Sequence, residues 1–293
     1  MPSTGKIAIL LLVHKNENQV NRLIRHLSKD FDVYIHVDKR SRLNLTKGEN
    51  VFVYRKYKPY WGSFNIILAT LLLLREAHKK NYDRYILLSG QDIPIKTNER
   101  IKEFFVHNDN EYIANFSFPC PFWTEGGLDR VSKYHFQKDK PSRRHVVQYR
   151  LYTIDRLLFK LIRGNKKRPY DDYRFFGGSQ WFAFTHDCTS KIFEYLKQDK
   201  QYLKRYRWTS CCDEVFFQTL VNMIPGLSIV NKNFRYIDWE KGPEYPRTLR
   251  TEDYEKVIHS ENLFARKFDE TIDNQIIDMM YANIENATDS KSL

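Results

Sequence analysis

The stretch KIAILLLVHK at residues 6–15 decides the fold class of this chain. Its apolar residues run without interruption and end in polar ones, which is typical of a strand buried on both faces of a sheet. Residues 16–27 then space their apolar side chains as a helix does, and DVYIHVDK at residues 32–39 predicts a second buried strand. A helix between two such strands favours parallel pairing, because antiparallel neighbours need only a short turn.

The same alternation continues over the first hundred residues. Residues 51–55 predict a third strand, residues 63–80 a long apolar helix, and residues 82–96 a strand that leads into the polar turn SGQD. We therefore expect an α/β fold with a mostly parallel central sheet flanked by helices. In such sheets ligands bind beyond the carboxyl ends of the strands. The polar residues expected at that crevice are His14, Asp38, Trp61 and the SGQD turn.

The rest of the chain is less regular. Residues 107–175 are rich in aromatic and basic residues, and residues 146–162 within them predict an amphipathic helix whose apolar face packs on the core or touches a membrane. Further elements are expected as a strand at 177–187, helices at 188–199 and 211–224, a strand at 227–239 and a closing helix at 270–284. The sequence contains no repeat and no linker, so we predict one domain over residues 1–293.

The charge balance points to anionic partners. The 293 residues carry a formal net charge of +12 and are 42% hydrophobic, and such a charge attracts anionic surfaces and phosphorylated molecules. The densest basic clusters lie at residues 141–145, 163–169 and 202–208. They come without a helix-turn-helix, RNA-recognition or zinc-finger signature, so nucleic acid is not an expected partner. Peripheral contact with an anionic membrane is the favoured interpretation.

The cysteines indicate a reducing compartment. Cys120, Cys188, Cys211 and Cys212 form no C-x-x-C pair, so a zinc site is not expected, and reduced thiols are the simplest interpretation. The N-terminal residues show no secretory signal, and the apolar run there is too short to span a membrane. We expect a cytoplasmic protein with peripheral contact at the inner face of the membrane.

Five motifs together suggest a family. YIHVDKRS, ILLSGQDIPIKT, GSQWFAFT, CDEVFFQTL and SENLFARKFD occur in this order between Lys6 and Ile277. In this order they resemble the core-2/I-branching glycosyltransferases, which include β-1,6-N-acetylglucosaminyltransferases and peptide O-xylosyltransferases. The resemblance implies a GT-A fold, an inverting reaction and a nucleotide-sugar donor. Animal members have a membrane anchor and structural disulfides, which this sequence lacks, so it is similar to a soluble bacterial relative.

The resemblance also implies that the two halves of the chain bind different substrates. Residues 1–106 are expected to form a nucleotide-binding half. Residues 107–293 are expected to form an acceptor-side half that ends in a diphosphate-binding segment. Glu214 in CDEVFF matches the family's catalytic base, which leaves Asp213 to cap a helix; the alternative is that both carboxylates only begin that helix.

Inverting transfer also needs something to stabilise the departing diphosphate. The D-x-D sequence, Asp30-Phe31-Asp32, precedes a strand, so we interpret it as surface residues and expect no metal and no cofactor. The resemblance implies that cations take the metal's place. The matching residues are Lys267 in FARKFD and Arg247 in EYPRTL, with Arg250 as a rival to Arg247.

The remaining predicted site residues belong either to the donor side or to the acceptor side of the site. The donor side is predicted to include Val13, His14, Asp38, Trp61 and Asp92. Asp38 would accept hydrogen bonds from the uridine or ribose, and an ordinary strand-end turn is the alternative. The acceptor side is predicted to include Arg130, Trp181 and Trp239. A surface arginine and core tryptophans are the alternatives there.

These observations predict a metal-independent enzyme that moves a sugar from a UDP-sugar to a glycan or lipid-linked oligosaccharide during synthesis of a bacterial surface polysaccharide. N-acetylglucosamine is the first expectation for the sugar, and xylose and glucose stay open. A glycan-binding protein without activity is the alternative class, although binding alone needs no base. A hydrolase is disfavoured, because Asp213 and Glu214 are adjacent and cannot face each other across a glycosidic bond.

Overall fold

The computed structural model describes residues 5–137, 146–164, 166–169, 173–240 and 246–289. The strands in these ranges are β1 Ile7–Val13, β2 Asp32–Val37, β3 Val51–Tyr54, β4 Arg84–Ser89, β5 Ile93–Pro94, β6 Glu111–Ile113, β7 Phe116–Ser117, β8 Phe176–Gly177, β9 Phe182–Thr185, β10 Ile229–Val230, β11 Arg235–Ile237 and β12 Phe264–Arg266. The predicted basic cluster at residues 141–145 lies outside the described residues.

Helices connect and flank these strands. They are α1 Glu17–Leu27, α2 Phe64–His78, α3 Asn98–Phe105, α4 Leu128–Ser132, α5 Val146–Arg163, α6 His186–Gln198, α7 Lys200–Arg205, α8 Phe216–Met223, α9 Tyr254–Ile258 and α10 Asn274–Asp289. Short 3-10 turns occur at Thr124–Gly127, Tyr206–Trp208, Cys212–Glu214 and Thr251–Asp253. None of the described helices is long and apolar enough to cross a membrane.

The central sheet confirms the predicted fold class. Its seven strands in the described ranges follow the order β10-β6-β9-β4-β1-β2-β3. β1 pairs in parallel with β2 and with β4, and β2 pairs in parallel with β3. β9 runs antiparallel to its neighbours β4 and β6. The sheet is therefore mainly parallel, and it takes strands from both the first hundred residues and the later part of the chain.

The position of β1 at the centre explains its uninterrupted apolar sequence. Ala8 and Leu10 belong to the core on the α2 side of the sheet, whereas Ile9 and Leu11 belong to the core on the α1 side. All four side chains are fully buried. Burial of each large aliphatic side chain stabilises the fold by about 1.5–3 kcal/mol, so both faces of this strand must be apolar.

A second, three-stranded sheet of order β11-β12-β5 holds the C-terminal segment next to the central sheet. Buried Gln19 at the start of α1 links the two, because its Nε2 donates to Gly90 O over 2.8 Å and to Phe268 O over 3.2 Å. Lys15 adds an ion pair of 2.6 Å with Asp269. These long-range contacts bring the end of β12 to the carboxyl end of β1.

The later elements differ from the prediction in detail. Residues 227–239 form two strands, β10 and β11, in different sheets rather than one strand. Residues 211–215 form a tight turn, so the helix predicted from residue 211 begins only at Phe216. In both places the contacts of distant segments override the local pattern.

Candidate active site

A cavity of about 450 Å³ opens at the edge of the central sheet where β1, β2 and β4 end. These strands are parallel, so their carboxyl ends meet there. The volume is within the range of roughly 300–1,000 Å³ that small-molecule pockets occupy. The charged and aromatic side chains around it are His14, His36, Asp38, Arg40, Tyr60, Trp61, Trp181, Asp213, Glu214, Trp239, Arg266 and Lys267.

The structure brings most of the predicted site residues to this one cavity. The predicted residues that line it are Val13, His14, Asp38, Trp61, Trp181, Glu214, Trp239 and Lys267. The predicted residues that lie outside its lining are Asp92, Arg130, Arg247 and Arg250. Each of these four residues contacts other charged or polar groups of the protein instead.

The turn Cys212–Glu214 presents two carboxylates to the cavity. Gly62, in the loop before α2, packs against it: a Cβ there would lie 3.2 Å from Cys211 Cα, and φ is already +66°. Glycine is therefore needed for the loop to approach the turn so closely. On the other side, Gly178 N donates to Glu214 O over 2.9 Å. The turn is held from two distant parts of the chain.

Glu214 forms an ion pair with Arg130, a residue of α4. Arg130 Nη1 lies 2.6 Å from Glu214 Oε2, and the glutamate side chain is 33% exposed. The guanidinium carbon of Arg130 in turn lies 3.5 Å from the centre of the Trp123 ring. Arg130 thus holds the carboxylate from outside the cavity, and the cation–π contact orients the arginine.

Asp213 is buried beside Glu214 and does not cap a helix. The cap position of α8 is Val215, and no side-chain cap bond is found there among the described residues. Burial, with a further contribution from the charge of Glu214, raises the pKa of Asp213 to about 7. Within the described part of the chain, its Oδ1 has no hydrogen-bond partner. The predicted cap role is therefore wrong, because the chain turns tightly before α8 begins.

Asp38 lies directly after β2 and is 4% exposed. It accepts hydrogen bonds from Arg40 N over 2.8 Å and from Arg40 Nη2 over 2.6 Å. Burial favours the neutral acid, but these hydrogen bonds and the charge of Arg40 outweigh it and lower the pKa of Asp38. Buried His36 lies beside them, and burial lowers its pKa to about 4, so it is neutral. The Asp38 carboxylate stays charged at the nucleotide side of the expected crevice.

Two consecutive cations, Arg266 and Lys267, line the cavity at the end of β12. The guanidinium carbon of Arg266 lies 4.3 Å from the centre of the Trp181 ring. Burial, together with the charge of Arg266, lowers the pKa of Lys267. A partly desolvated cation pair of this kind is suited to an anion that enters the cavity.

Asp92 is fully buried behind this pair rather than in the cavity. Its Oδ2 accepts from Ser89 N over 2.6 Å, and its Oδ1 lies 3.5 Å from Arg235 Nε and 3.6 Å from Arg266 Nε. It therefore acts as the counter-ion of two arginines. Among the described residues, no group of three or more His, Cys, Asp or Glu side chains is placed to hold a metal ion.

Arg247 is engaged by carboxylates away from the cavity lining. Its Nη2 lies 2.6 Å from Asp238 Oδ2 and also pairs with Asp253. Arg250 is exposed, and its backbone N donates to the same Asp253 over 2.8 Å. Neither of these arginines lines the cavity, whereas Lys267 does.

The three predicted tryptophans occupy different positions around the cavity. Trp181 is 2% exposed and forms part of the wall under Arg266, whereas Trp61 and Trp239 are 67% and 53% exposed. Apolar ring faces of sugars stack well on exposed indole rings, so the two outer tryptophans are placed to contact a ligand at the mouth.

The residues that line the cavity but were not singled out in the sequence as ligands or catalysts include Arg40, Asp213 and Arg266. Arg40 is adjacent in sequence to the Asp38 motif, and Arg266 directly precedes Lys267. For Arg266 the available signal was its place next to Lys267 in the FARKFD motif. For Asp213 the deciding property is its burial, which the sequence does not show.

The mainly parallel sheet with flanking helices is that of a GT-A-like glycosyltransferase fold. The chain matches the Core-2/I-Branching enzyme family over residues 7–263, which is most of its length, and it belongs to that family. The family and fold predictions are confirmed.

The curated proteins that are similar to this chain include xylosyltransferases. Xylosyltransferase 2 of Canis lupus familiaris is 25% identical over 313 residues, which cover 94% of this chain and 33% of the relative. Xylosyltransferase 1 of Homo sapiens is 24% identical over 310 residues, which cover 93% of this chain and 30% of the relative. The chain thus spans about a third of the length of the curated relatives that it matches.

Proposed function

We propose that the chain is an inverting glycosyltransferase that moves a sugar from a UDP-sugar to a hydroxyl of a glycan acceptor without a metal ion. The observation that carries this proposal is the placement of Glu214 and of the Arg266–Lys267 pair around one cavity. Transfer with inversion needs a base on the acceptor side and positive charge at the leaving group. The described residues offer both.

In the proposed reaction, Glu214 takes the proton of the acceptor hydroxyl. The acceptor oxygen then forms a bond to the anomeric carbon, while the bond from that carbon to the UDP oxygen breaks. Arg130 keeps Glu214 oriented before the transfer through an ion pair of 2.6 Å. The proton ends on Glu214, and UDP leaves with the electron pair of the broken bond.

Negative charge develops on the diphosphate as it departs. Lys267 and Arg266 would stabilise this charge with hydrogen bonds, since both line the cavity and are partly desolvated. Asp92 holds Arg266 from behind, so the guanidinium is positioned before the donor binds. Fixed cations of this kind perform the task that a divalent metal performs in other transferases, which is why we propose that none is needed here.

The donor is proposed from the family and from the names of the relatives. N-acetylglucosamine remains the first candidate, and xylose stands beside it because the curated relatives are xylosyltransferases; glucose is the third. Asp38, charged and buried at the end of β2, is placed to accept hydrogen bonds from the uridine or ribose.

The acceptor is proposed to be a glycan or a lipid-linked oligosaccharide of a bacterial surface polysaccharide. Exposed Trp61 and Trp239 at the cavity support a sugar ring there. The net charge of +12 supports peripheral contact of the enzyme with an anionic membrane, as at the inner face of the cytoplasmic membrane.

The proposal is tested by measuring thermal stabilisation by UDP, UDP-N-acetylglucosamine, UDP-xylose and UDP-glucose, each with and without EDTA. One UDP-sugar should raise the melting temperature and be slowly hydrolysed, and EDTA should change neither result. If none of the donors stabilises the protein, the nucleotide-sugar assignment is wrong. If stabilisation disappears with EDTA and returns with Mn²⁺ or Mg²⁺, the metal-independent mechanism is wrong.

A further inference from the structure

The helix α5, Val146–Arg163, presents apolar side chains to solvent. Val147, Leu151, Ile154, Leu158 and Leu161, here called the outer stripe, follow one another at intervals of three and four residues. At 100° per residue they lie within about 80° of arc, so they form one face. Exposure reaches 71% at Val147 and 74% at Leu161. A contiguous apolar surface of this kind marks an interaction site.

The opposite face of α5 attaches the helix to the body of the protein. The ring of Phe159 contacts Phe136 and Trp208 at centroid distances of 5.4 and 5.2 Å, and the ring of Tyr152 lies 5.5 Å from Phe136. The guanidinium carbon of Arg163 lies 4.7 Å above the ring of Tyr134. The helix is therefore fixed through one face, and the outer stripe is left facing away from the core.

The ionised side chains on and after α5 are mostly cations. Arg150, Arg156 and Lys160 are exposed on the helix, and Lys166 and Lys167 are basic residues that follow it. Arg150 borders the outer stripe, whereas Arg156 and Lys160 lie on the polar side of the helix. An apolar face combined with Lys and Arg on the polar side is the chemistry of a helix that lies in the interface of a bilayer. The attracted surface is anionic, because each such cation is favoured near anionic headgroups.

The charge of the whole chain disfavours a second copy as the occupant. The formal net charge is +12, so two copies repel each other. Like charges brought close repel, whereas an anionic lipid surface neutralises them. Charge complementarity therefore selects the bilayer.

We propose that the outer stripe of α5 docks on an anionic lipid bilayer, with the helix parallel to the membrane surface and its cations among the headgroups. This rests on the proposed function and assigns the membrane contact to one surface. α5 is also close to the cavity. Its partner Phe136 is followed by Gln137, whose Oε1 accepts from Phe64 N over 3.0 Å. Phe64 follows the loop of Trp61 at the cavity. A docked α5 would bring the cavity near a sugar acceptor whose lipid end lies in the same bilayer.

The test is flotation of the whole protein with vesicles of phosphatidylcholine alone or with about a third phosphatidylglycerol, at low and at physiological salt. The parent should bind the anionic vesicles and bind less as salt rises. Ile154→Glu/Leu161→Glu should lower the bound fraction at least about tenfold, since two charges would enter the apolar interface.

The matched control is Val53→Glu/Ile272→Glu, which changes the net charge equally at side chains that are 41% and 45% exposed outside α5. It should bind as the parent does. Thermal stabilisation by UDP-sugars is measured on all variants, so a failure of membrane docking is distinguished from a failure of the nucleotide-sugar assignment.

A second measurement does not depend on the charged variants. The natural cysteines are buried, so Leu161→Cys can be labelled with an environment-sensitive dye, with Ile272→Cys as control. The dye at position 161 should shift to the blue on anionic vesicles, and the dye at 272 should not. The proposal is overturned if Ile154→Glu/Leu161→Glu binds vesicles like the parent, if the dye at 161 does not respond, or if light scattering without lipid shows a dimer that this double variant dissociates.

Discussion

Two groups of charged residues, one around Glu214 and one around Arg247, differ in their surroundings. At the cavity, Glu214 has one cationic partner, Arg130, and its side chain stays 33% exposed. Away from the cavity lining, Arg247 is shared between the carboxylates of Asp238 and Asp253, and its side chain is 17% exposed. A charge that is matched by one partner and still faces a cavity is available for chemistry, whereas a charge that is fully matched serves stability.

The same contrast separates the two candidate diphosphate ligands. Lys267 lines the cavity next to another cation, Arg266, and is partly desolvated. Arg247 has acidic neighbours instead, and they raise its pKa further above its usual range. An approaching diphosphate would have to compete with these carboxylates for Arg247, but it would meet an excess of positive charge at Lys267.

The largest effect should follow Glu214→Gln. Loss of the base should lower transfer by about 10²- to 10⁴-fold, while UDP binding is retained because the glutamate acts on the acceptor hydroxyl. Initial rates and UDP affinity by calorimetry measure the two effects separately. Glu125→Gln is a control, since Glu125 pairs with Lys133 outside the cavity lining. Transfer within about tenfold of the parent would remove Glu214 from the mechanism.

The next effect concerns the leaving group. Lys267→Ala should cost about 2–4 kcal/mol of transition-state stabilisation, and Lys267→Arg should restore only part of it. EDTA should leave the parent rate unchanged. The control is Lys256→Ala, which removes a lysine of α9 outside the cavity lining. A nearly silent Lys267→Ala together with strong dependence on Mn²⁺ would show that a metal, not the cation pair, stabilises the diphosphate.

Asp213 should make stability depend on pH. Its pKa in the folded protein is raised to about 7 from an ordinary value of 3.8, mainly by burial. Between these values the folded state keeps a proton that the unfolded chain has lost, so the free energy of unfolding falls as pH rises. Asp213→Asn removes this dependence. The stability of the variant relative to the parent should therefore increase by about 4 kcal/mol from pH 4 to pH 8, because each unit of pKa difference is worth about 1.4 kcal/mol.

Denaturant unfolding at a series of pH values measures this difference. Asp109→Asn serves as a control, because it replaces an aspartate outside the cavity lining. A difference between parent and Asp213→Asn that stays constant over this pH range would show that Asp213 is ionised in the folded protein.

The smallest effect should be that of Arg247→Ala on the rate. Removal of this guanidinium leaves Asp238 and Asp253 without their shared cation, so the free energy of unfolding should fall by about 1–2 kcal/mol. Transfer should change by less than about threefold, because the arginine lies outside the cavity lining. Urea unfolding and initial rates distinguish a role of Arg247 in stability from a role in donor binding. A large loss of rate at unchanged stability would return Arg247 to the donor site.

Much of the fold could be predicted from local patterns. Burial on both faces requires an unbroken apolar run, so β1, β2 and β4 are visible in the sequence, and helical spacing identifies α1 and α2. The later strands were harder, because β10 and β11 are two and three residues long and belong to different sheets. Such short strands are specified by their partners rather than by their own side chains.

For the site, the sequence by itself determined the fold class, the family and the choice of Glu214 as the candidate base. It determined these because side-chain periodicity and motif order are properties of the chain alone. Only the tertiary structure decided which charges face the cavity. Arg247 and Arg266 are equally polar in sequence, but Asp238 and Asp253 surround the first, whereas Asp92 supports the second from behind.

The same limit applies to α5. Its spacing predicts an amphipathic helix, but the sequence does not say whether the apolar face or the opposite face meets the protein. Phe159 contacts Phe136 and Trp208 from the opposite face, which leaves the outer stripe exposed. Burial depends on what a distant segment brings near, and therefore only the folded chain decides it.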